Sequence, residues 1–565
     1  MSAKRNSPGL RAPIVRLGVV LATVVCTALG ALSGAPVAAA PSAGPSGPTQ
    51  VAIIMPMTVP DARNGLLSAS TLAAYTAPNG LLTRELDAVV NTQAVLGIDP
   101  LIIASIRLLG TAAPASATEW LARLGAATNE TFALTWADSD ITAAVQAGSP
   151  TVLAPTSLEF VIDPALFGPA EPAATNAPGG DAPSTAPPLP DTESLLAWDY
   201  TLGDVAWPIA GTVVASDLPV ITASGFTTTV LGSGNVQRDN AGFAAASVDD
   251  EAAIVTDDAA SQLLATASAA TTLTTWQDDL AALGATIDAS GATSMVLAVD
   301  RGAIGGAARL RSTITALDVI DGITVSSLSD TLAAGSSTAT LVETPHSPER
   351  IALTAAALAA EAADAAFAQI AVDPTPITAE RRLSLLSSLA PTWDRYPTGA
   401  DGALVAFTDD SLALRDSVQI LSESDIIFPD RGFLPVTVSN TLDQPVTVYV
   451  VVTALSPLLD IENGWVETTI EPNSQRRALI PAVARSNGIV TLSVGLASAA
   501  GVPVGTPVTV TANVQAGWET PLTIGLGIII FLVFAGGIYR TILRRRKARV
   551  ADTDGATAER RGAEA

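Results

Sequence analysis

Two aspartates directly follow a short apolar segment and are the residues of this chain best placed for chemistry. The segment ETFALTWADSD, residues 130–140, reads as a buried strand that ends in Asp138 and Asp140. In an α/β barrel the active site lies at the carboxyl ends of the strands. Two carboxyl groups roughly 5–10 Å apart can hydrolyse a glycosidic bond, and the rings of Trp136 and Trp207 can stack on sugars. We therefore predict a glycan-binding site that includes these two acids and these two tryptophans.

The overall charge weakens any assignment of catalysis. The chain has 54 Asp and Glu residues against 29 Lys and Arg, a formal net charge of −25. So acidic a composition places carboxylates at many strand ends, so no catalytic residue is assigned, and whether the chain is an enzyme stays open, with a non-catalytic role favoured. The same charge repels phosphate backbones, which excludes a nucleic-acid partner.

Several reaction classes lack the residues they need. His346 is the only histidine, whereas zinc hydrolases use several, and a serine triad would also need a GxSxG turn, which is absent. Lysine occurs only at Lys4 and Lys547, so lysine nucleophiles are excluded from the central part of the chain. We predict no metal and no cofactor. Cys26 is the sole cysteine, so no internal disulfide can form.

Residues 1–39 have the pattern of a secretory signal peptide. Basic residues precede an apolar run at 17–32, and small residues then offer a cleavage site after Ala39. Residues 40–50 are interpreted as a linker. An uncleaved membrane anchor is the alternative. Either reading places the bulk of the chain outside the cytoplasm.

Residues 521–539, PLTIGLGIIIFLVFAGGIY, contain no charged residue. At about 1.5 Å per residue, a helix of this length crosses a hydrocarbon layer of about 30 Å. The predicted tail at 540–565 then carries a basic cluster: Arg544, Arg545, Arg546 and Lys547. The positive-inside rule puts this tail in the cytoplasm. We predict a single-pass protein of the plasma membrane, in contact with the lipid bilayer, whose N-terminal ectodomain lies outside the cell.

The predicted ectodomain contains two different patterns of apolar residues. Between residues 51 and 342, continuous apolar runs alternate with Ala- and Leu-rich helical stretches, which predicts a TIM-barrel-like (β/α) domain, with an open doubly wound sheet as the alternative. Residues 168–190 are a Pro- and Ala-rich insertion, and 343–400 form a helical connector. The apolar period of two between 401 and 517 predicts an immunoglobulin-like β-sandwich.

A resemblance to a known family rests on several segments taken in order: GIDP (97–100), WLARL (120–124), ALTWADSDITAAVQAG (133–148), VAWPIAG (205–211) and FLPVTVSNTLDQPVTV (433–448). Together they resemble an actinobacterial family of secreted proteins with one C-terminal anchor, catalogued as a domain of unknown function. The resemblance implies a gene neighbourhood with the flippase of the lipid-linked peptidoglycan precursor. It also implies a barrel like those of glycoside hydrolases and polysaccharide deacetylases, although the histidines of the deacetylases are missing.

These observations favour a membrane-anchored cell-envelope protein without catalysis, which binds cell-wall glycan or assists an integral membrane protein in envelope assembly. A carboxylate-dependent glycoside hydrolase acting on cell-wall polysaccharide is the first alternative. A scaffold that acts through its sandwich and its membrane helix is the second.

Overall fold

The structure is a computed structural model. It describes residues 47–60, 65–168, 189–301, 308–421, 426–515 and 519–558. The predicted signal peptide, most of the predicted linker and insertion, and the last seven residues of the tail lie outside the described residues. The chain is of mixed α/β type with several sheets, as the sequence predicts.

The first sheet contains eleven strands within the described residues. They are β1 (Thr49–Met57), β2 (Val95–Ile98), β3 (Thr131–Ala133), β4 (Val205–Ala206), β5 (Thr228–Gly232), β6 (Val236–Arg238), β7 (Ala245–Val248), β8 (Glu251–Thr256), β9 (Ser294–Ala298), β10 (Ile323–Val325) and β11 (Ser336–Leu341).

Both faces of β1 are buried. Val51, Ile53 and Met55 belong to one hydrophobic cluster, whereas Ala52 and Ile54 belong to another. Because successive side chains of a strand point to opposite faces, β1 packs against apolar residues on its two sides. This is the arrangement that a continuous apolar run predicts for a parallel strand.

Parallel pairings join seven strands in the order β3-β2-β1-β9-β8-β5-β4. β1 pairs with β2, β2 with β3, β4 with β5, β5 with β8, β8 with β9, and β9 with β1. Between β3 and β4, the N–H of Leu202 donates to the carbonyl oxygen of Thr131 at 2.9 Å. The seven strands also share one cluster of buried side chains: Ile54, Val95, Phe132, Val205, Val230, Ile254 and Val296.

Helices separate most of these strands. They are α1 (Ala69–Tyr75), α2 (Leu81–Val89), α3 (Pro100–Leu108), α4 (Ala115–Gly125), α5 (Ile141–Gln146), α6 (Thr192–Leu196), α7 (Asp217–Ala223), α8 (Asp258–Ala269), α9 (Leu273–Ser290), α10 (Leu310–Leu317) and α11 (Leu328–Ala333). Aspartates that end strand segments also begin helices. Asp99 caps α3, Asp140 caps α5 and Asp257 caps α8, each by accepting a backbone N–H of the first turn.

A layer of three longer helices follows: α12 (Pro348–Ala368), α13 (Thr375–Ser388) and α14 (Gly399–Arg415). A buried charge network joins them, since the carboxylate of Asp364 accepts from Nε of Arg381 at 2.8 Å and from Oγ of Ser411 at 2.6 Å. α14 corrects the sequence-based boundary of the β-sandwich, because residues 401–415 are helical. Ala403, Phe407 and Ser411 are the buried face of that helix.

The remaining strands form two further sheets. They are β12 (Val418–Leu421), β13 (Ile426–Phe428), β14 (Arg431–Asn440), β15 (Val446–Ala454), β16 (Leu459–Ile461), β17 (Trp465–Ile470), β18 (Ser474–Ala484), β19 (Gly488–Ala497) and β20 (Pro503–Val514). Within the described residues, β12, β14, β18 and β16 make one sheet, and β13, β20, β19, β15 and β17 make the other. The period-two residues of both sheets pack into a single core, to which Val436, Val448 and Val494 belong.

The last helix is α15 (Glu519–Ala558). Two helices of the described chain are long and apolar enough to cross a membrane: Pro348–Ala368 and Leu522–Arg546. The first is α12, of which a third is buried against other parts of the protein, whereas none of the second is buried. The second contains most of the segment that the sequence predicts to span the membrane.

Candidate functional site

A cavity of about 630 Å³ lies at the carboxyl ends of the parallel strands. We call it the strand-end cavity. The floor is built by residues at or just beyond the ends of β1, β3, β4, β5, β8 and β9: Thr58, Asp138, Trp207, Gly232, Thr256 and Arg301. The facing walls come from α8, with Ser261, Gln262 and Ala265, and from the segment that precedes α14, with Pro391, Thr392, Asp394 and Arg395.

Asp138 reaches this cavity through a tight turn after β3. Trp136–Asp138 form one turn of 3-10 helix, in which Ala137 and Asp138 have φ angles of 56° and 50°. Such left-handed backbone is unfavourable for a residue that carries a Cβ, and it is least so for Asp and Asn. The N–H of Ala137 donates to Oδ1 of Asp99 at 3.0 Å, which stabilises the turn. Strained backbone of this kind is found preferentially at functional sites.

Arg301 ties two of the predicted site residues together. Its Nε donates to Oδ2 of Asp138 at 2.7 Å, and its Nη2 donates to the carbonyl oxygen of Trp207 at 2.6 Å. The guanidinium also lies 4.7 Å from the centroid of the Trp207 ring. A second arginine, Arg395, donates to the carbonyl oxygen of Arg301. The floor of the strand-end cavity therefore holds one carboxylate, one guanidinium group and one indole ring in contact with each other. Arg395 joins them from the facing wall.

Two carboxyl groups beside this floor have raised pKa values. Burial raises the pKa of Asp99 well above its ordinary value, and the nearby charge of Asp138 adds to this, while the N–H groups of Leu101 and Ala137 oppose it. Burial also raises the pKa of Asp138, more than the charge and hydrogen bond of Arg301 lower it. The site thus holds two desolvated carboxyl groups, of which only Asp138 lines the cavity.

Asp140 faces a different neighbourhood. Its Oδ1 accepts from the N–H of Ala143 at 3.0 Å and from the hydroxyl of Thr142, and its Oδ2 lies 3.3 Å from Nε2 of His346 and 3.9 Å from Nη2 of Arg350. Burial by itself would raise the pKa of this carboxyl, but the hydrogen bond and charge of His346, the N–H of Ala143 and the charge of Arg350 together lower it. Asp140 is therefore a helix cap that stabilises a charged cluster.

His346 does not complete a nucleophilic triad. Its Nε2 lies 2.9 Å from Oγ1 of Thr142 and also faces the carboxylate of Asp140. A triad base uses one ring nitrogen for the nucleophile and the other for the acid, and the hydroxyl-bearing Thr142 is fully buried. The cluster joins the segment before α12 to α5.

The four predicted glycan-binding residues separate into two pairs. Asp138 and Trp207 line the strand-end cavity. Trp136 is only 2% exposed and belongs to the main hydrophobic cluster, so neither face of its ring is open to a sugar. Asp140 is equally buried in its cap. Trp136 lies in the 3-10 turn and Asp140 at the cap of α5, and neither side chain is among those that line the strand-end cavity.

The rim of the cavity contains further charged residues. Asp258 and Asp300 follow the apolar runs of β8 and β9, where acids at strand ends are visible in the sequence. Asp394 and Arg395 come from the helical layer, nearly a hundred residues further along the chain than Asp300. No pattern in the sequence places Asp394 and Arg395 beside the strand ends, so the sequence does not predict them as residues of this site.

A second cavity, of about 970 Å³, is larger but has a different character. It lies between α13, α14 and the turn from β14 to β15, and its wall includes Ile377, Phe407 and Leu442. Its arginine, Arg381, is already bound to Asp364. Trp393 lines this second cavity, whereas its neighbours Thr392 and Asp394 line the strand-end cavity. Among the residues that the structure describes, no group of three or more His, Cys, Asp or Glu side chains is placed to hold a metal ion.

Comparison with known families decides the affiliation. The model of a family described as a family of unknown function, DUF6049, matches residues 37–555. The chain belongs to this family. The match to DUF6049 covers all of the sheets and most of α15. No protein of curated function matches the chain.

Three solved structures each resemble less than a fifth of this DUF6049 member. A fragment of α-2-macroglobulin from Escherichia coli is 17% identical with a TM-score of 0.15, and the alignment covers 17% of this chain and 16% of the other. WR4, an MSP family member of C. elegans, is 9% identical with a TM-score of 0.14 and coverages of 18% and 98%. The E. coli chaperone DraB is 13% identical with a TM-score of 0.14 and coverages of 18% and 56%. Likenesses this low carry no inference about the present chain.

Proposed function

We propose that this chain is a membrane-anchored extracytoplasmic protein of the cell envelope, and that its strand-end cavity binds a glycan without hydrolysing it. The observation that carries the proposal is the position of Arg301, held between Asp138 and Trp207 at the floor of the cavity. A carboxylate, a guanidinium and an aromatic ring in one place are the groups that bind sugar hydroxyls and the apolar faces of sugar rings.

The proposed architecture gives this position its meaning. We take the row of seven parallel strands from β3 to β4 to be closed into a TIM-barrel-like ring. We take the two-sheet unit to be an immunoglobulin-like sandwich. In barrels of this kind ligands bind at the carboxyl ends of the strands. The volume of about 630 Å³ falls within the range of small-ligand pockets, about 300–1,000 Å³.

The state of Asp138 supports the proposed absence of hydrolysis. A retaining or inverting glycosidase needs two carboxyl groups that are free to act on the scissile bond. The carboxylate of Asp138 is already the acceptor of a charge-assisted hydrogen bond from Arg301 at 2.7 Å. A sugar therefore meets an ion pair on the floor of the cavity, which binds hydroxyls and does not transfer a proton.

One observation favours the alternative of a glycoside hydrolase. The pKa of Asp138 is raised by burial, and a raised pKa is what the general acid of such an enzyme needs. Asp258 and Asp300 lie on the rim of the same cavity. In that alternative, Arg301 would have to release Asp138 when the substrate binds.

Incubation of the purified full chain with cell-wall polysaccharide separates the two functions. We expect retention of the protein on the polysaccharide without release of reducing ends; release that disappears in Asp138→Asn would establish the hydrolase. The variant Ala265→Trp places a large ring in the wall of the cavity and is expected to abolish retention. Ala269→Trp, on the same helix but outside the cavity, is the matched control and should bind normally. Equal retention by both variants would contradict binding at this site.

A further inference from the structure

On β19 and β20, the outer face of the five-stranded sheet is polar in its middle and becomes apolar at the end where β20 stops. On β19 and β20 the outward row includes Thr491, Ser493, Thr509 and Thr511, which pair across the two strands. The last outward row differs: Ile427, Asn513 and Ile489 lie side by side on β13, β20 and β19. Both isoleucines are highly exposed.

Three side chains form what we call the terminal patch: Ile427, Leu455 and Ile489, exposed by 71%, 65% and 72%. The N–H of Leu455 donates to the carbonyl oxygen of Thr491, the outward residue next to Ile489 on β19, so Leu455 lies diagonally across from Ile489 and within its reach. Ile427 and Ile489 flank Asn513 of β20 on its two sides. Isolated exposed apolar residues need no explanation, but a group of large ones at one end of a sheet does.

The terminal patch lies at the end of the sheet from which the chain leaves toward α15. Ile427 and Ile489 flank Asn513, which is followed by the last residue of β20, Val514. The candidate membrane span begins at Leu522, only a few residues further on. Eight steps along the chain separate Val514 from Leu522, so their Cα atoms cannot be more than about 29 Å apart.

We infer that the terminal patch inserts into the surface of the lipid bilayer and fixes the two-sheet unit against the membrane. The inference rests on the proposed anchoring by α15 and goes beyond it, since a helix alone would leave the ectodomain free to move on its tether. The short connection keeps the patch near the interfacial layer, where aliphatic side chains partition favourably.

The test uses the full chain with Cys26 replaced by Ser, reconstituted into vesicles of phosphatidylcholine and phosphatidylglycerol. A single cysteine carrying a polar fluorophore is introduced as Ile427→Cys or Ile489→Cys, and quenching by lipids with a nitroxide on the acyl chain is measured. The controls are Val319→Cys and Val372→Cys, which are equally exposed but lie far from the sheet end. We expect quenching at the patch to exceed that at the controls at least about twofold.

A label at Ile530, within the candidate span, separates this inference from the anchoring itself. Quenching at Ile530 without quenching at Ile427 and Ile489 would leave the anchor in place and overturn the inference. No quenching at Ile530 would overturn the anchoring. Protection of the patch labels from water without lipid quenching would show that a protein covers the patch, which also contradicts the inference. In a second arm, Ile427→Asp with Ile489→Asp should reduce the lipid quenching of a label at Leu455, and unchanged quenching would count against it.

Discussion

Arg301 donates from Nε to Oδ2 of Asp138 at 2.7 Å, across 163 residues of sequence. Because the same guanidinium binds the carbonyl oxygen of Trp207, it connects the segments that follow β9, β3 and β4. The pair is largely buried, with side-chain exposures of 17% and 8%. The acid that the sequence predicts to bind a glycan thus serves first as the counter-charge of an arginine.

Arg301→Met tests the energetic role of this pair. The change removes the guanidinium and leaves the carboxyl group of Asp138, whose pKa burial already raises, buried without its counter-charge. We expect the free energy of unfolding to fall by about 3 kcal/mol, measured by denaturant unfolding of the full chain in detergent with tryptophan fluorescence.

The double variant Asp138→Asn with Arg301→Met is the control for this loss. Replacement of both partners by uncharged groups removes the orphaned charge, so most of the stability should return. A double variant that is as unstable as the two single changes added together would show that the residues do not act as a pair.

Asp99→Asn should stabilise the protein at neutral pH. The pKa of Asp99 is raised in the folded state, chiefly by burial, so at pH values between the unfolded and folded pKa the native state binds more protons than the unfolded state. Stability therefore falls as the pH rises through this window and stays reduced above it. Asn keeps the Oδ1 that accepts from Leu101 and Ala137 but carries no charge.

The comparison of melting temperatures at two pH values checks this prediction. At pH 7 the Asp99→Asn variant is expected to melt at a higher temperature than the parent chain, and the difference should shrink toward pH 4. A variant that is less stable than the parent at pH 7 would show that the charge of Asp99 is favourable in the folded protein, in contradiction to its burial.

The sequence predicts the strand before Asp138 well and the turn after it poorly. The apolar run at β3 is too short for a helix and has no helical period, so a buried strand is the simplest interpretation. The direction of Trp136 depends on two consecutive left-handed residues, Ala137 and Asp138. Neither is glycine, so the residue types do not predict the turn. The backbone conformation of these two residues decides whether the ring of Trp136 faces the cavity or the core.

Long-range partners account for most of the remaining differences. Nothing near Asp138 in the sequence indicates that Arg301 will neutralise it or that Arg395 will close the cavity. The error at the start of the two-sheet unit has another cause: the segment GADGALVAFTDDSLALR of α14 does have apolar residues at helical spacing, with Ala403, Leu404 and Phe407 buried. In the sequence, the strong alternation of apolar residues from β12 onward outweighs this helical pattern.

Arg381→Lys tests the charge network of the helical layer. Nε of Arg381 donates to Asp364 at 2.8 Å while Nη2 donates to the carbonyl oxygen of Phe407 at 2.9 Å, and the guanidinium lies 4.0 Å from the ring centroid of Phe407. A lysine ammonium cannot occupy these positions together. We expect a loss of about 2–3 kcal/mol in the free energy of unfolding.

The change Arg123→Lys is the matched control. Arg123 pairs with Asp87 at an exposed position, where a lysine retains most of the interaction, so the loss should stay below about 1 kcal/mol. Equal losses for the two variants would mean that the geometry of the buried guanidinium contributes nothing beyond its charge.

Asp140→Asn should have the opposite pH dependence to Asp99→Asn. Burial would raise the pKa of Asp140, but His346, the N–H of Ala143 and Arg350 together lower it. The folded state therefore holds fewer protons than the unfolded state as the pH falls below the ordinary value, and the stabilising contribution, present above the unfolded pKa, is lost as the pH falls through the folded pKa. At pH 7 the variant should lose about 2 kcal/mol in the free energy of unfolding, and the difference from the parent should diminish as the pH approaches 3.

Asp163→Asn is the control for this prediction. It lies at an exposed cap whose Oδ1 accepts only from Ala165 in the described structure, so its stability should change little at either pH. A loss at position 140 that does not depend on pH would assign the effect to packing and not to charge.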